Sequence, residues 1–184
     1  MRKLFVSNLI SVDGYIAGPK GELDWHNVDA EFNVYAHSML DSIDTILFGR
    51  VTYEMMAAFW PSAQALHDDP ETAMRMNSIS KVVCSRTLKN ASWSNSRLVS
   101  RDIETEVRAL KQQTGKGIVI LGSGQIVSQL TDARLIDEYR FFVNPVILGG
   151  GIPEFGNLTG RVKLKLLSER QFKNGNVLLT YSPV

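Results

Sequence analysis

The sequence predicts an α/β fold in which a mostly parallel central sheet is covered by helices on both faces and finished by an antiparallel C-terminal β-hairpin. Three observations carry this. Short apolar runs, such as Thr45 to Phe48, Lys81 to Ser85 and the run opening at Gly117, have the pattern of strands buried on both sides. Helical stretches with apolar residues three or four apart alternate with those runs through most of the chain. Near the C-terminus two longer strand-like segments flank Asn174-Gly175, a dipeptide suited to a tight hairpin turn.

Lys3 to Val12 is rich in apolar and β-branched residues and closes at Asp13-Gly14, which predicts a first strand entering a turn. Asp29 is placed to cap a helix over Ala30 to Asp41, with Phe32, Tyr35, Ala36 and Met39 on one face. Thr45 to Phe48 is a buried strand ending at Gly49-Arg50, and helices are expected over Thr52 to Ala58 and around Pro70 to Asn77. Lys81 to Ser85 is the next strand, and Arg97 to Val99 adds a short one. Ile103 to Gln113 is an amphipathic helix through Val107 and Leu110, ended by Gly115. The segment Gly117 to Leu130 is then a strand that breaks at Gly122-Ser123-Gly124 and runs straight into a helix. Leu135 to Val143, Val162 to Phe172 and Val177 to Tyr181 complete the strands.

A chain of 184 residues, 44% of them hydrophobic, is long enough to bury roughly 70% of its unfolded surface in one core, so a single domain over 1–184 is expected. Its formal charge of +1 and scattered basic residues give no broad field for nucleic acid or an anionic membrane. One cysteine, Cys84, excludes an internal disulfide and a cysteine-based zinc site. His26, His37 and His67 lack metal-ligand spacing, so no metal is expected. With no apolar run near 18 residues and no signal-peptide layout, a cytoplasmic protein is expected.

The chemistry-bearing loops follow strands. Gly122-Ser123-Gly124 leads a helix whose first backbone N–H groups, with the positive end of the helix dipole, suit a phosphate or pyrophosphate. Val127 stands where the third glycine of a Rossmann fingerprint would be, so that topology is poorly supported, and a purely steric need for glycine remains open. Arg50 with Thr52, and Arg86 with Ser85 and Thr87, place an arginine beside a hydroxyl at two strand ends. Such pairs form a phosphate clamp through forked, charge-assisted bonds, or are ordinary surface residues. No acidic residue stands there to favour a free ribose hydroxyl, which points to a 2′-phosphate. Ligands in sheets of this kind sit beyond the strand carboxyl ends, where the loops at Asp13-Gly14, Gly49-Arg50, Ser85-Arg86 and Gly122 to Gly124 are expected to converge.

The segments SVDGYIAG (Ser11 to Gly18), ILFGRVTYE (Ile46 to Glu54), VVCSRTL (Val82 to Leu88), VILGSGQIVSQL (Val119 to Leu130) and NPVILGGGIPEFG (Asn144 to Gly156), in that order, resemble the reductase domain of riboflavin-biosynthesis deaminase-reductases, the RibD C-terminal family. The resemblance implies a dihydrofolate-reductase-like three-layer sandwich, NADPH as cofactor and a pteridine- or pyrimidine-type substrate. It implies that Gly49, Arg50 and Thr52 lie near the adenine ribose and phosphates, that Ser85, Arg86 and Thr87 hold the 2′-phosphate, and that Gly122, Ser123, Gly124, Gln125 and Ile126 cradle the pyrophosphate. Asn144, Pro145, Gly149, Gly150 and Gly151 would border the nicotinamide and substrate. A homodimer is implied as well.

The chain lacks the zinc-deaminase motifs of the full-length enzymes. It has Leu121 where the riboflavin-pathway reductases tend to carry a glutamate, and no W-x-x-P-x-D segment like that of dihydrofolate reductases. Reduction of a C=N or C=O group also consumes a proton, for which Asp13, after the first strand, and Asp24, beside Trp25, are the candidates. Asp13 equally suits a cap on its own turn and Asp24 a solvated loop. Trp25 suits stacking on a flat heterocycle or anchoring of its loop. The resulting expectation is an NADPH-dependent reductase of a small nitrogen heterocycle, with 5-amino-6-(5-phosphoribosylamino)uracil reductase the nearest named activity. A dihydrofolate or pterin reductase and a non-catalytic nucleotide- or pterin-binding module are the alternatives.

Overall fold

In a computed structural model, described here for residues 1–100 and 102–184, the chain forms one eight-stranded sheet between two helical layers. Its elements are β1 (Leu4–Ser11), β2 (Tyr15–Ala17), α1 (Ala30–Asp41), β3 (Ile43–Gly49), α2 (Arg50–Phe59), α3 (Ala63–Asp68), α4 (Pro70–Ser78) and β4 (Ser80–Cys84) in the first half. The second half comprises β5 (Ser96–Val99), α5 (Ile103–Gln112), β6 (Gly117–Ile120), α6 (Gly124–Asp132), β7 (Glu138–Asn144), β8 (Ile152–Pro153), β9 (Leu164–Gln171) and β10 (Val177–Pro183).

The sheet order is β5-β4-β3-β6-β1-β7-β10-β9. From β5 through β7 every neighbouring pair is parallel, whereas β10 runs antiparallel to both β7 and β9. The expected parallel sheet with a hairpin at one edge is therefore the observed one. The central strands are apolar on both faces because both faces are covered. Leu47, Val82, Ile118 and Ile120 join Val107, Leu110, Val127 and Leu130 of α5 and α6 in one core. Ile46, Phe48, Val83 and Val119 join Met39 and Leu40 of α1, Tyr53 of α2 and Met76 of α4 in the other.

Local rules account for the helix starts. Asp29, Asp69 and Asp102 accept hydrogen bonds from Phe32 N, Thr72 N and Thr105 N at 2.8, 3.0 and 2.9 Å, satisfying donors that the first turn leaves unpaired. Lys81 has its side chain buried at the opposite end of α4. Its ammonium donates to the carbonyls of Asn77, Ile79 and Ser94 and lies 4.3 Å from the Trp93 ring centroid. Burial pulls its pKa down to about 8. A lysine within an apolar strand thus closes the helix C-terminus, whose last carbonyls have no partner inside the helix.

Three elements escape the sequence reading. The helix α3 lies in the polar connection after α2. The strands β2 and β8 pair with each other in a separate two-stranded sheet, tying the loop after β1 to the loop after β7. Gly151 is required there, since a Cβ at this position would collide with the Ala17 carbonyl.

Candidate cofactor and substrate cleft

The carboxyl ends of β3, β4 and β6 open into one cavity of about 1250 Å³. Gly49, Arg50 and Thr52 line it, together with Ser85, Arg86 and Thr87 and with Gly122, Ser123, Gly124, Gln125 and Ile126. Three segments separated by some 35 residues each are thus brought together, as their position after parallel strands requires.

The glycine loop owes its shape to specific contacts. Gly122 and Ser123 both adopt left-handed backbone, with φ of 59° and 61°, before α6 begins. Gly122 N donates to Asn8 Oδ1 at 2.6 Å, and Asn8 Nδ2 donates back to the Gly122 carbonyl at 3.3 Å. Ser123 caps nothing with its side chain. Its hydroxyl instead accepts from Gly49 N at 2.8 Å and donates to Thr52 Oγ1 at 3.1 Å, joining two loops of the cleft. The first N–H groups of α6 are therefore left without a side-chain cap at the cavity wall, in the arrangement that binds an anionic group.

The arginine loops are prepared differently. Arg50 opens α2 and pairs with Glu54 one turn on, at 2.9 Å. Ser85 Oγ accepts from Thr87 N at 3.1 Å and Leu88 N at 2.9 Å, folding the loop that carries Arg86. Both arginines are exposed and line the cleft, Arg50 beside Glu54 and Arg86 near enough to Asp102 to add to the lowering of its pKa that the Thr105 N–H bond leads. Cys84 also lines the cleft, but burial pushes its thiol up to about 12, and Glu106 adds to the shift. Thiolate chemistry is thereby disfavoured.

The expected proton donors lie elsewhere. Asp13 is exposed and does not line the cavity; its carboxylate accepts from Ser11 Oγ, Leu148 N and Gly149 N. The Ser11 bond leads these in holding it below the usual carboxylate range, the reverse of what a donor needs. Asp24 is exposed and also outside the lining. Trp25 gives its indole N–H to the Glu22 carbonyl at 3.0 Å and anchors its own loop. Asn144 is buried and accepts from Asn27 N at 2.8 Å. None of Asn144, Pro145, Gly149, Gly150 and Gly151 lines the cavity; the turn they form leads to Ile152 and Pro153, which do.

Glu154 is the feature of this region that sequence reasoning missed. It is 2% exposed, and its Oε2 accepts from Asn8 Nδ2 at 2.8 Å while Oε1 has no hydrogen-bond partner. Burial raises its pKa to about 7, partly offset by the Asn8 bond. A carboxyl group thus lies behind the glycine loop, delivered by β8 rather than by the residue before Gly122. Only the apolar context of Ile152-Pro153 and Phe155 hinted at burial.

The architecture is that of the dihydrofolate-reductase-like α/β proteins. It superposes on a dihydrofolate reductase from Enterococcus faecalis complexed with NADP(H) with a TM-score of 0.66 at 17% identity, covering 98% of this chain and 96% of that one. The profile of the RibD C-terminal domain matches residues 2–178, and the chain belongs to that family. An uncharacterized protein of Bacillus subtilis, YyaP, is 31% identical over 98% of this chain and 94% of its own length. A putative riboflavin biosynthesis protein from Shewanella has the same fold, with a TM-score of 0.77 at 23% identity and 99% of each chain covered. Among the described residues no helix is long and apolar enough to cross a membrane.

Proposed function

We propose that the protein is a cytoplasmic NADPH-dependent reductase of a small nitrogen heterocycle and acts as a homodimer. The observation that carries this reading is the convergence of two arginine-hydroxyl loops and an uncapped helix N-terminus on one cavity. The donor types on the three loops suit the cofactor. The Gly122–Gly124 backbone and the start of α6 would hold the pyrophosphate, and Arg86 with Ser85 and Thr87 would hold the 2′-phosphate, with Arg50 and Thr52 beside the adenine ribose.

When bound, the nicotinamide supplies a hydride to the acceptor. The chain contributes position and an apolar surround: Leu9, Met39, Met56, Trp60 and Phe142 line the cavity beyond the phosphate-binding loops. The carboxylates in the lining, Asp69 and Asp102, are engaged as helix caps. The accompanying proton is therefore assigned to water entering the cleft or to the Tyr35 hydroxyl.

Titration with NADPH and with NADH, followed by quenching of tryptophan fluorescence, tests the reading, because Trp60 lines the cavity. NADPH is expected to bind at least tenfold more tightly, about 1.4 kcal/mol. Equal affinities would remove the 2′-phosphate assignment, and no binding of either would remove the reductase reading.

A further inference from the structure

The cavity has two chemically different regions. Arg50 and Arg86 are the only arginine or lysine side chains among the described residues that line it, and both stand on the loops assigned to the cofactor's phosphates and ribose. Away from those loops the wall is built from α1, the later turns of α2 and the sheet face beneath them, through Leu9, Phe32, Met39 and Trp60. Among the described residues the one acidic group contributed from that side is Asp69, at the start of α4, which packs against α1. A phosphate placed there would meet a carboxylate and apolar surface, with no arginine or lysine lining that side among the described residues, an arrangement that disfavours it.

Two polar atoms in this region lack partners. His26 and Tyr35 both line the cavity, and His26 Nε2 and the Tyr35 hydroxyl are buried without a hydrogen bond. The His26 ring bonds to the Ile16 backbone, while burial holds its pKa below the ordinary imidazole value. A neutral ring that gives its other N–H to a carbonyl presents Nε2 as a bare acceptor. The Tyr35 ring is fixed edge-on to Phe142, with centroids 4.7 Å apart, so its hydroxyl is held in place. Buried polar groups are nearly always paired, and a ligand in the cavity is the natural partner for two that belong to side chains of its wall.

Resting on the reductase reading, we propose that the acceptor is a flat, uncharged, unphosphorylated nitrogen heterocycle that gives a ring or exocyclic N–H to His26 Nε2 and hydrogen-bonds the Tyr35 hydroxyl. Apolar and aromatic side chains cover its faces, and the two polar atoms fix its orientation. The chain therefore discriminates against a phosphoribosyl-bearing pyrimidine.

Calorimetric titration of the full chain, with and without saturating NADP⁺, tests this. The probes are lumazine, a bicyclic heterocycle with ring N–H groups and no phosphate, and 5-amino-6-(5-phosphoribosylamino)uracil. Lumazine is expected to bind at least tenfold more tightly. His26→Phe and Tyr35→Phe are each expected to weaken lumazine at least fivefold and to leave NADP⁺ affinity unchanged, which also reports that the variants are folded. A smaller preference, a reversed order, no lumazine binding, or lumazine affinity unmoved in both variants overturns the proposal. Failure of NADP⁺ to bind refutes the reductase reading, while the comparison of the two probes still decides the acceptor class.

Discussion

Glu154 shows how a single residue links the cleft to pH. An ordinary glutamate titrates near 4.5, and here burial raises that value to about 7. Between those values the folded chain holds a proton that the unfolded chain has released, so stability falls as pH rises and the loss is complete above 7. The shift corresponds to a loss on the order of 3 kcal/mol. Glu154→Gln keeps an oxygen for Asn8 Nδ2 and cannot ionise. It is expected to be more stable than the parent at pH 8 by an amount of that order, and near parity at pH 5, as read by urea unfolding at the two pH values. Equal differences at both would mean that the carboxyl does not ionise in this range. The chemistry of individual residues was unevenly legible. Arg50, Arg86 and Ser123 could be found because they follow apolar runs that stop at turns, a local signal. Trp25, Asn144 and Gly149 to Gly151 also stand in loops near strand ends, but nothing local says which side of a loop faces the cavity. His26 and Tyr35 matter only because the tertiary fold leaves their polar atoms unpaired.

At the scale of elements, α6 and the β8 turn are locked together through a glycine. A Cβ added to Gly124 would lie 2.6 Å from the Pro153 carbonyl oxygen and 2.9 Å from that of Glu154. Both are backbone atoms, so neither can swing aside, and one element must shift. Gly124→Ala is accordingly expected to displace the start of α6, weakening NADPH at least tenfold, about 1.4 kcal/mol, and lowering the melting temperature. A fluorescence titration and a thermal melt on the same sample check both; wild-type affinity with a lowered melting temperature would show that the helix N-terminus does not hold the cofactor. This close approach also explains which elements could be read in advance. Caps such as Asp29 and apolar runs such as Thr45 to Phe48 act within a few residues and predict α1 and β3 well. By contrast, β2 and β8 are short and exist by pairing Tyr15–Ala17 with Ile152–Pro153 across more than 130 residues. No periodicity in either segment records that partnership.

At the scale of the whole molecule, the sheet has one edge that the fold leaves uncovered. The opposite edge strand, β5, is partly buried and followed by α5, but every residue of β9 is exposed, including Leu164, Leu166 and Leu167. The pairing with β10 shifts register between Thr180 and Tyr181, so that Leu167 stands opposite no partner, a β-bulge within the edge strand. Water therefore meets exposed leucines as well as the backbone groups of an edge strand, a combination that proteins ordinarily cover or interrupt with charge. Charges do flank the leucines, at Lys165, Glu169 and Arg170, which limits open-ended stacking of edges without removing the apolar surface. A second copy related by a two-fold axis would cover both strands with one closed contact, which agrees with the homodimer that the family resemblance implies. Light scattering coupled to size-exclusion chromatography should give twice the monomer mass at micromolar concentration. Leu167→Asp should shift the population toward monomer by at least tenfold in dissociation constant, because the new charge would be buried at the contact. Since β9 does not line the cleft, the same variant should keep its affinity for NADPH. A monomeric parent across the whole concentration range would leave β9 exposed in solution and remove the dimer from the proposed function, with the cofactor cleft unaffected.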